Sequence, residues 1–169
     1  SLVGGSMIFL EKFDVHEAIK WIPKVTTMMG VPTFYTRLLE NDGLNYEITK
    51  NVRLFISGSA PLLAETHEEF EKRTNKKILE RYGMTETNMN ISNPYDGERK
   101  PGTVGKPLPG IEIRIADENG NPITGKDVGI IQLKGDNVFK GYWKLEEKTK
   151  ESFSKDGYFI TGDLATRDN

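Results

Sequence analysis

The stretch from Leu79 to Glu86 brings a glycine, a hydroxyl and a carboxylate together directly after a run typical of a β-strand. Gly83 would let the backbone approach a ligand closely, because glycine has no Cβ. Thr85 can donate a hydrogen bond to a phosphate oxygen, and Glu86 offers hard oxygen atoms suited to Mg²⁺ carried by a nucleotide. The same residue types are also common in an ordinary turn after a strand, so composition alone leaves both interpretations open.

A second segment, Gly120 to Lys126, matches the phosphate-binding pattern Gly-x-x-x-x-Gly-Lys, but Asp127 follows where a serine or threonine is required. A loop of this kind lies between a strand and a helix, so that aligned backbone N–H groups face the phosphate. These residues fall between two predicted strands instead. We therefore interpret the segment as a hairpin turn.

The two histidines, His16 and His67, lack the neighbours that metal binding or nucleophilic catalysis needs. Neither has a partner at metal-ligand or triad spacing. Each lies in a polar helix pattern, so we predict that both are solvated surface residues. The chain has no cysteine, which excludes a disulfide framework, a thiolate zinc site and a Cys nucleophile.

Length and charge narrow the class of protein. A chain of 169 residues is long enough for one domain of ordinary size. Its 23 Lys and Arg against 25 Asp and Glu give a net charge of -2, which creates no field for a polyanion. No window approaches the roughly 18 apolar residues of a membrane span. We expect neither a nucleic acid nor a membrane as partner, and the lack of cysteine fits a cytoplasmic location.

Helix and strand patterns alternate in the first part of the chain, which must position the candidate residues. Asp14 with Glu17 predicts one helix start, and Thr66 with Glu69 predicts another. A further helix is predicted over Pro32–Leu39, because proline is tolerated in a first turn. Strands are predicted over Met7–Leu10, Val25–Met29, Val52–Ile56 and Lys77–Arg81. This alternation predicts βαβ units and a largely parallel sheet.

Turn-forming residues concentrate after Asn93. Five of the eight prolines and six of the seventeen glycines fall between Asn93 and Gly125, and we place a linker over residues 93–110. Beyond it, alternating apolar residues predict antiparallel strands, with Asn119-Gly120 as a hairpin turn. The predicted elements are strands over Ile111–Ile115, Gly129–Lys134 and Tyr158–Thr161, and a short charged helix within Lys144–Ser152.

Five segments resemble, in order, motifs of the adenylate-forming ligases, the superfamily of acyl-CoA synthetases, luciferases and peptide-synthetase adenylation domains. They are Ser57–Leu62 (the adenine-contacting loop), Tyr82–Glu86 (Tyr-Gly-x-Thr-Glu), Gly102–Pro107 (Gly-x-x-Gly-x-Pro), Lys134–Tyr142 (Gly-x-x-x-x-x-Gly-Tyr) and Gly157–Asp163 (Thr-Gly-Asp). One departure is Ile131-Gln132, where the family often has Gly-Glu-Leu.

The resemblance implies an α/β fold that is a fragment of the N-terminal domain of an adenylate-forming enzyme. Residues 1–105 would form an α/β subdomain that carries the Tyr-Gly-x-Thr-Glu motif. Residues 106–169 would form part of an antiparallel β-barrel subdomain. The mostly parallel layer would therefore come first along the chain.

The activity implied by the resemblance has two steps. A carboxylate attacks the α-phosphate of ATP to give an acyl adenylate and pyrophosphate, and the thiol of coenzyme A then displaces AMP. Thr85 and Glu86 would be the catalytic residues, Thr85 as a phosphate contact and Glu86 as the Mg²⁺ ligand. Asp163 would accept both ribose hydroxyls, with an ordinary acid in a turn after a strand as the alternative interpretation. The nucleotide-binding residues implied are Ser59, Ala60, Pro61, Tyr82, Gly83, Thr85 and Asp163.

Arg81 indicates the acyl substrate. Family members that take aromatic or fatty acids commonly have a small residue before the Tyr-Gly pair, where it borders the acyl pocket. A guanidinium at this place would pair with a second carboxylate on the substrate. Arg81, together with Met84–Asn90 and Val31–Tyr35, resembles the malonyl-CoA synthetases, which implies malonate or methylmalonate as substrate and Arg81 and Met84 as the residues that bind it. The alternative is an internal salt bridge from Arg81 to Glu80 or another acid.

Several family features are missing from the sequence. No Ser/Thr/Gly-rich run followed by Lys-Gly occurs, Ser1 is not an initiator Met, and Asn169 comes before any hinge, C-terminal domain or catalytic lysine. We expect an internal fragment that is inactive alone. Two alternatives remain open, a module that only binds AMP or ATP and a fragment of an amino-acid-activating adenylation domain. The second conflicts with the positive charge of Arg81, because an amine substrate calls for an acid.

Overall fold

The computed structural model describes residues 4–168, so Ser1 and Asn169 lie outside the described residues. The chain forms two compact units. The first, here called the α/β unit, comprises residues 4–81 and 93–105, and the second, the β unit, comprises residues 82–92 and 106–168. Within residues 4–168, no helix has the length and apolar character needed to cross a membrane.

The α/β unit alternates helices with parallel strands, as the sequence predicts. Strands β1 and β2 pair in parallel, and so do β2 and β3. Its elements are α1 (Val15–Trp21), a 3₁₀ turn (Ile22–Lys24), β1 (Thr27–Gly30), α2 (Pro32–Leu39), α3 (Tyr46–Thr49), β2 (Leu54–Ser57), α4 (Ala64–Thr74) and β3 (Ile78–Met84), whose last three residues belong to the β unit.

Helix starts show where local chemistry could be read from the sequence. Asp14 is the N-cap of α1 and accepts from the backbone N–H of Glu17 at 2.9 Å, as predicted. The predicted start of α4 at Thr66 is wrong, because the helix begins at Ala64 and Thr66 lies in its first turn. Leu63 is the N-cap and has no side-chain hydrogen bond. The first turn does contain Glu65, whose negative charge suits the positive end of the helix dipole.

Aromatic residues from three elements form the core of the α/β unit. Tyr35 of α2, Phe55 of β2 and Phe70 of α4 are buried and meet edge to face, with ring centroids 4.9 to 6.5 Å apart. The Tyr35 hydroxyl donates to the carbonyl of Ile56 at 2.6 Å, and burial raises the pKa of this phenol well above its usual value. The core thus ties two helices to the central strand.

The β unit is built from antiparallel strands. Its elements are β4 (Asn88–Ser92), β5 (Lys106–Pro107), β6 (Glu112–Ala116), β7 (Gly129–Lys134), α5 (Glu146–Glu151) and β8 (Phe159–Ala165). Strands β6, β7 and β8 form one sheet in this order, and β4 pairs with β5. The core contains the buried Ile131, Leu133 and Phe159, with Phe139 and Phe153 packed against them. The mixed α/β fold is confirmed.

Two other sequence expectations have clear outcomes. Residues Met7–Leu10 form no strand, and Met7 and Phe9 are largely exposed, because no partner strand pairs with them among the described residues. The Asn-Gly turn is confirmed, since Gly120 has φ +84° and donates to the carbonyl of Asp117 at 3.0 Å. The phosphate-loop lookalike therefore lies in the connection between β6 and β7.

Candidate nucleotide and acyl site

Strand β3 runs three residues beyond its predicted end at Arg81, so Tyr82, Gly83 and Met84 are strand residues. A three-residue turn, Thr85–Thr87, connects β3 to its neighbour β4, and the backbone N–H of Thr87 donates to the carbonyl of Met84 at 3.2 Å. Thr85 is exposed at this turn. The hydroxyl of Thr85 is therefore accessible for a ligand.

The close approach of β4 explains why position 83 is a glycine. A Cβ on Gly83 would collide with the carbonyl oxygen of Asn88 and would lie 2.6 Å from Cε of Met89. Neither the backbone oxygen nor the strand can move aside without disrupting the turn. The structure thus gives Gly83 a packing requirement, in addition to the ligand contact that the resemblance implies.

Tyr82 and Asp163 meet although 81 residues separate them in sequence. The Tyr82 hydroxyl donates to Oδ2 of Asp163 at 2.6 Å, and its ring packs against the core of the β unit. Burial, and then the hydrogen bond to Asp163, raise the pKa of Tyr82 well above its usual value. The phenol is therefore a neutral donor at physiological pH, and two of the five motifs come together at this bond.

A bulge in β8 presents Asp163 to solvent. Ile160 pairs with Gln132 and Leu164 with Ile130, so residues 161–163 oppose the single residue Ile131. Gly162 has φ +80°, which favours glycine, and the Thr161 hydroxyl donates to the carbonyl of Ile131 at 2.9 Å. The Thr-Gly-Asp motif thus forms a bulge that leaves the Asp163 carboxylate exposed on a paired strand.

The side chain of Glu86 accepts a hydrogen bond from Tyr142, a residue for which the sequence predicts no role. The Tyr142 hydroxyl donates to Oε1 of Glu86 at 3.1 Å, and burial, followed by the Glu86 contact, raises the pKa of Tyr142. Within residues 4–168, no three His, Cys, Asp or Glu side chains form a metal-binding group. A single carboxylate still fits Mg²⁺, which commonly takes one or two protein carboxylates together with phosphate oxygens and waters.

Arg81 is half-buried and forms no ion pair with any described residue. Its Nη2 lies 2.8 Å from the sulfur of Met29, which is a weak acceptor. The alternative of a salt bridge to Glu80 is wrong, because neighbouring strand residues point to opposite faces of the sheet. The guanidinium thus lacks a carboxylate partner within the described chain.

Glu80 pairs instead with His67, and the predicted solvent exposure of His67 is wrong. His67 is fully buried on α4, with Nδ1 3.3 Å from Oε1 of Glu80. The backbone N–H of Gly102 donates to the same oxygen at 3.3 Å. The spacing of His67, Phe70 and Thr74 marks the buried face of the helix, a signal that the polar composition of α4 hid. His16 is exposed, as predicted.

The adenine-loop candidates lie where β2 ends. Ser59, Ala60 and Pro61 are exposed in the connection from β2 to α4, and Ser59 has φ +68°. Strand β2 ends at the carboxyl edge of its parallel pairs, the kind of edge where open α/β sheets bind ligands. A Cβ on Gly58 would lie 3.5 Å from the carbonyl oxygen of Arg81, so the loop packs beside that residue.

The sequence profile of AMP-binding enzymes matches residues 1–143. The chain belongs to this family. Crystal structures include an AMP-binding enzyme to which it is very similar, the ATP-bound MatB from Rhodopseudomonas palustris. The two are 58% identical over 98% of this chain and 33% of MatB, with a TM-score of 0.94.

Curated relatives among the AMP-binding enzymes include CoA ligases. A probable CoA ligase, CCL8 of Humulus lupulus, is 46% identical over 85% of this chain and 25% of its own length. The malonate–CoA ligase of Arabidopsis thaliana is 43% identical over 94% of this chain and 27% of its own length. The chain thus spans about a quarter of the length of these relatives.

Proposed function

We propose that this chain is part of an ATP-dependent acid–thiol ligase that adenylates a small dicarboxylate, malonate or methylmalonate, and transfers the acyl group to coenzyme A. The Tyr82–Asp163 hydrogen bond carries the proposal, because it joins two nucleotide motifs that are distant in sequence. Membership of the AMP-binding enzymes and the names of the CoA-ligase relatives support it.

Asp163 is proposed to bind the ribose of the nucleotide. One of its oxygens accepts from the neutral Tyr82 hydroxyl, which fixes the orientation of the carboxylate. A carboxylate has about four lone-pair sites, so capacity remains for two ribose hydroxyls. Tyr82 would also lie against the adenine base. The assignment of Ser59, Ala60 and Pro61 to the base stays a prediction.

The turn Thr85–Thr87 is proposed to face the phosphates. A carboxylate oxygen of the substrate attacks the α-phosphorus and pyrophosphate leaves; the thiol sulfur then attacks the acyl carbonyl, AMP leaves, and the thiol proton is lost to solvent. The exposed Thr85 hydroxyl would donate to a phosphate oxygen. Glu86 would hold Mg²⁺, which when bound offsets the negative charge on the phosphates.

Arg81 is proposed to bind the second carboxylate of the substrate. A half-buried guanidinium that donates to a thioether sulfur, a weak acceptor, gains most from an anionic partner that offers two oxygens. Met84 stays predicted to border the acyl group. An amine-bearing substrate would meet repulsion from Arg81, so this residue disfavours the amino-acid-activating alternative.

A graft tests the proposal. Residues 1–169 would replace the matching third of Rhodopseudomonas palustris MatB, and malonate-dependent exchange of pyrophosphate into ATP would be measured. We expect an active graft, an Arg81→Ala variant at least about a hundredfold slower with malonate, and a control Arg37→Ala, at an exposed arginine of α2, with unchanged activity. An inactive graft, or an unchanged Arg81→Ala, contradicts the proposal.

Two further predictions concern the 169-residue chain alone. We expect it to be inactive by itself, and malonate-dependent pyrophosphate exchange by the isolated chain would contradict this. Calorimetry with AMP would show whether the isolated chain binds nucleotide, as the alternative of a module that only binds AMP or ATP requires. A cytoplasmic location also stays a prediction.

A further inference from the structure

We infer that Tyr142 is a positioning residue for Glu86, the carboxylate to which the proposed function assigns Mg²⁺. The inference rests on that function for the role of Glu86, and on the structure for the contact. The Tyr142 hydroxyl donates to Oε1 of Glu86 at 3.1 Å, across 56 residues of sequence. Both side chains are half-buried, so water competes only partly for this hydrogen bond.

The segment Asn137–Tyr142, here called the clamp segment, also fixes the backbone of the turn that carries Glu86. The N–H of Phe139 donates to the carbonyl of Glu86 at 2.8 Å. The side-chain amide of Asn137 donates to the carbonyl of Thr87 at 2.5 Å and to Oδ1 of the buried Asn90 at 2.9 Å. Contacts to main chain and side chain together leave Glu86 little freedom.

Tyr142 is itself fixed at both ends. Its ring meets Phe139 edge to face, with centroids 4.8 Å apart. Its backbone N–H donates to Oγ1 of Thr149 at 2.8 Å. Gly141 has φ +146°, and a Cβ there would lie 2.5 Å from Cγ2 of Thr149, so only glycine fits this turn. The Gly-Tyr motif thereby places the Tyr142 hydroxyl beside the Glu86 carboxylate.

Orientation matters at this position because Mg²⁺ demands near-octahedral geometry and few protein ligands are at hand. A glutamate has three rotatable bonds, and an outer hydrogen bond selects the conformation in which its oxygen is usable. Loss of such an outer partner typically weakens metal affinity or activity by 10- to 100-fold. We expect the lower end of this range, since the backbone contacts of the clamp segment remain.

Tyr158 provides a matched control. Its hydroxyl donates to Oε2 of Glu112 at 2.8 Å, so Tyr158→Phe also removes a tyrosine–carboxylate bond from the β unit. Neither Tyr158 nor Glu112 belongs to the proposed site. Tyr142→Phe retains the ring that packs on Phe139, and Thr149→Val offers a second way to release Tyr142 should the first variant fail to fold.

The first experiment needs no activity. Three-bond NMR couplings would report the χ1 and χ2 rotamers of Glu86 in the 169-residue chain. We expect one dominant rotamer in the parent and in Tyr158→Phe, and averaging among staggered rotamers in Tyr142→Phe and, less completely, in Thr149→Val. An unchanged Glu86 rotamer in the Tyr142→Phe chain would overturn the inference.

The second experiment uses the MatB graft and varies free Mg²⁺ at fixed ATP. We expect Tyr142→Phe to raise the apparent activation constant for Mg²⁺ roughly tenfold and to leave KM for malonate unchanged, whereas Tyr158→Phe changes neither. A lower kcat without a shifted Mg²⁺ dependence contradicts the inference. If the unsubstituted graft is inactive, the proposed function fails, and the rotamer measurement alone decides whether Tyr142 positions Glu86.

Discussion

The two units use their polar side chains differently. In the α/β unit, His67 and Glu80 meet with side chains 0% and 5% exposed. In the β unit, the carboxylate of Asp163 lies at the surface, and Asp156, paired with Arg114, is 55% exposed. The buried pair joins a helix to a strand, whereas the two exposed acids are in contact with water. Burial thus distinguishes the polar pair of the α/β unit from these two acids of the β unit.

Sheet type explains much of this difference. A parallel strand that is covered by helices on its faces has little access to water, so a polar group such as Glu80 must find partners inside the protein. An antiparallel sheet can leave one face solvated. Asp163 is on such a strand and, through its bulge, reaches solvent. Four changes, from the largest expected effect to the smallest, test this comparison.

The largest expected effect is the loss of stability when an aromatic side chain is removed from the core of each unit. Phe70→Ala should lower the free energy of unfolding by about 4 kcal/mol, because a fully buried ring that contacts Tyr35 and Phe55 leaves a cavity. Phe153→Ala, which removes a half-buried ring packed against the core of the β unit, should lower the free energy of unfolding by about half as much. Urea denaturation followed by circular dichroism measures both. Equal losses would mean that the two cores contribute alike.

The buried pair should rank second. Glu80→Ala leaves His67 and the N–H of Gly102 without their shared acceptor, so we expect a loss of about 2–3 kcal/mol in unfolding free energy. Asp156→Ala, at the exposed pair with Arg114, should change stability far less. The same urea titrations apply. A larger loss of stability from Asp156→Ala than from Glu80→Ala would contradict this comparison of buried and exposed acids.

A binding effect should come third. In the MatB graft, Asp163→Ala should raise KM for ATP roughly tenfold, because hydrogen bonds to a charged group contribute about 1.5–3 kcal/mol each and water replaces them in part. Asp156→Ala serves as the control, since it removes an acid of the same unit outside the proposed site. Steady-state kinetics at saturating malonate give both constants. Equal changes in KM for ATP in the two variants would contradict the assignment of Asp163 to the nucleotide site.

The smallest effect concerns pH. The hydrogen bond from Arg114, and then that from Ser154, hold the pKa of Asp156 below its ordinary value of 3.8. The ionised acid therefore stabilises the folded state above about pH 4, and this contribution disappears as pH falls through the lowered pKa.

Asp156→Asn measures this contribution. Its unfolding free energy should lie below that of the parent at neutral pH, and the two curves should converge as pH falls below 4. Asp127→Asn, in the exposed connection between β6 and β7, is the control for the loss of a carboxylate elsewhere in the β unit. A constant gap between Asp156→Asn and the parent down to pH 2 would contradict the assignment.

Local patterns were sufficient for much of the fold. The cap at Asp14, the helix over Pro32–Leu39 and the strand over Gly129–Lys134 follow from capping, proline placement and alternation, all of which act within a few residues. The start of α4 could not be found this way. Its N-cap is Leu63, which offers no side-chain acceptor, whereas Thr66 carries the residue type that a cap prefers.

The residues of the candidate site could be predicted from sequence motifs, but the contacts between them could not. The sequence singled out Tyr82 and Asp163, but their hydrogen bond depends on the folding of the whole β unit. Tyr142 was matched to a motif without a role, because its partner Glu86 is 56 residues away. Long-range pairing of this kind leaves no periodic signal in one sequence.

The bulge in β8 also sets which changes of chain length this strand can tolerate. Residues 161–163 occupy the place of one residue in the ladder, so β8 carries two extra residues here. Because two is an even number, the alternation of side chains between the faces is preserved. Ala165 therefore packs on the same core as Phe159, and Leu164 is exposed. Deleting one residue here would exchange the faces of Leu164 and Ala165. Deleting two would restore a regular ladder and keep both faces, but the exposed carboxylate would be lost. Natural length variation at this point should therefore be rare, even where substitutions are common.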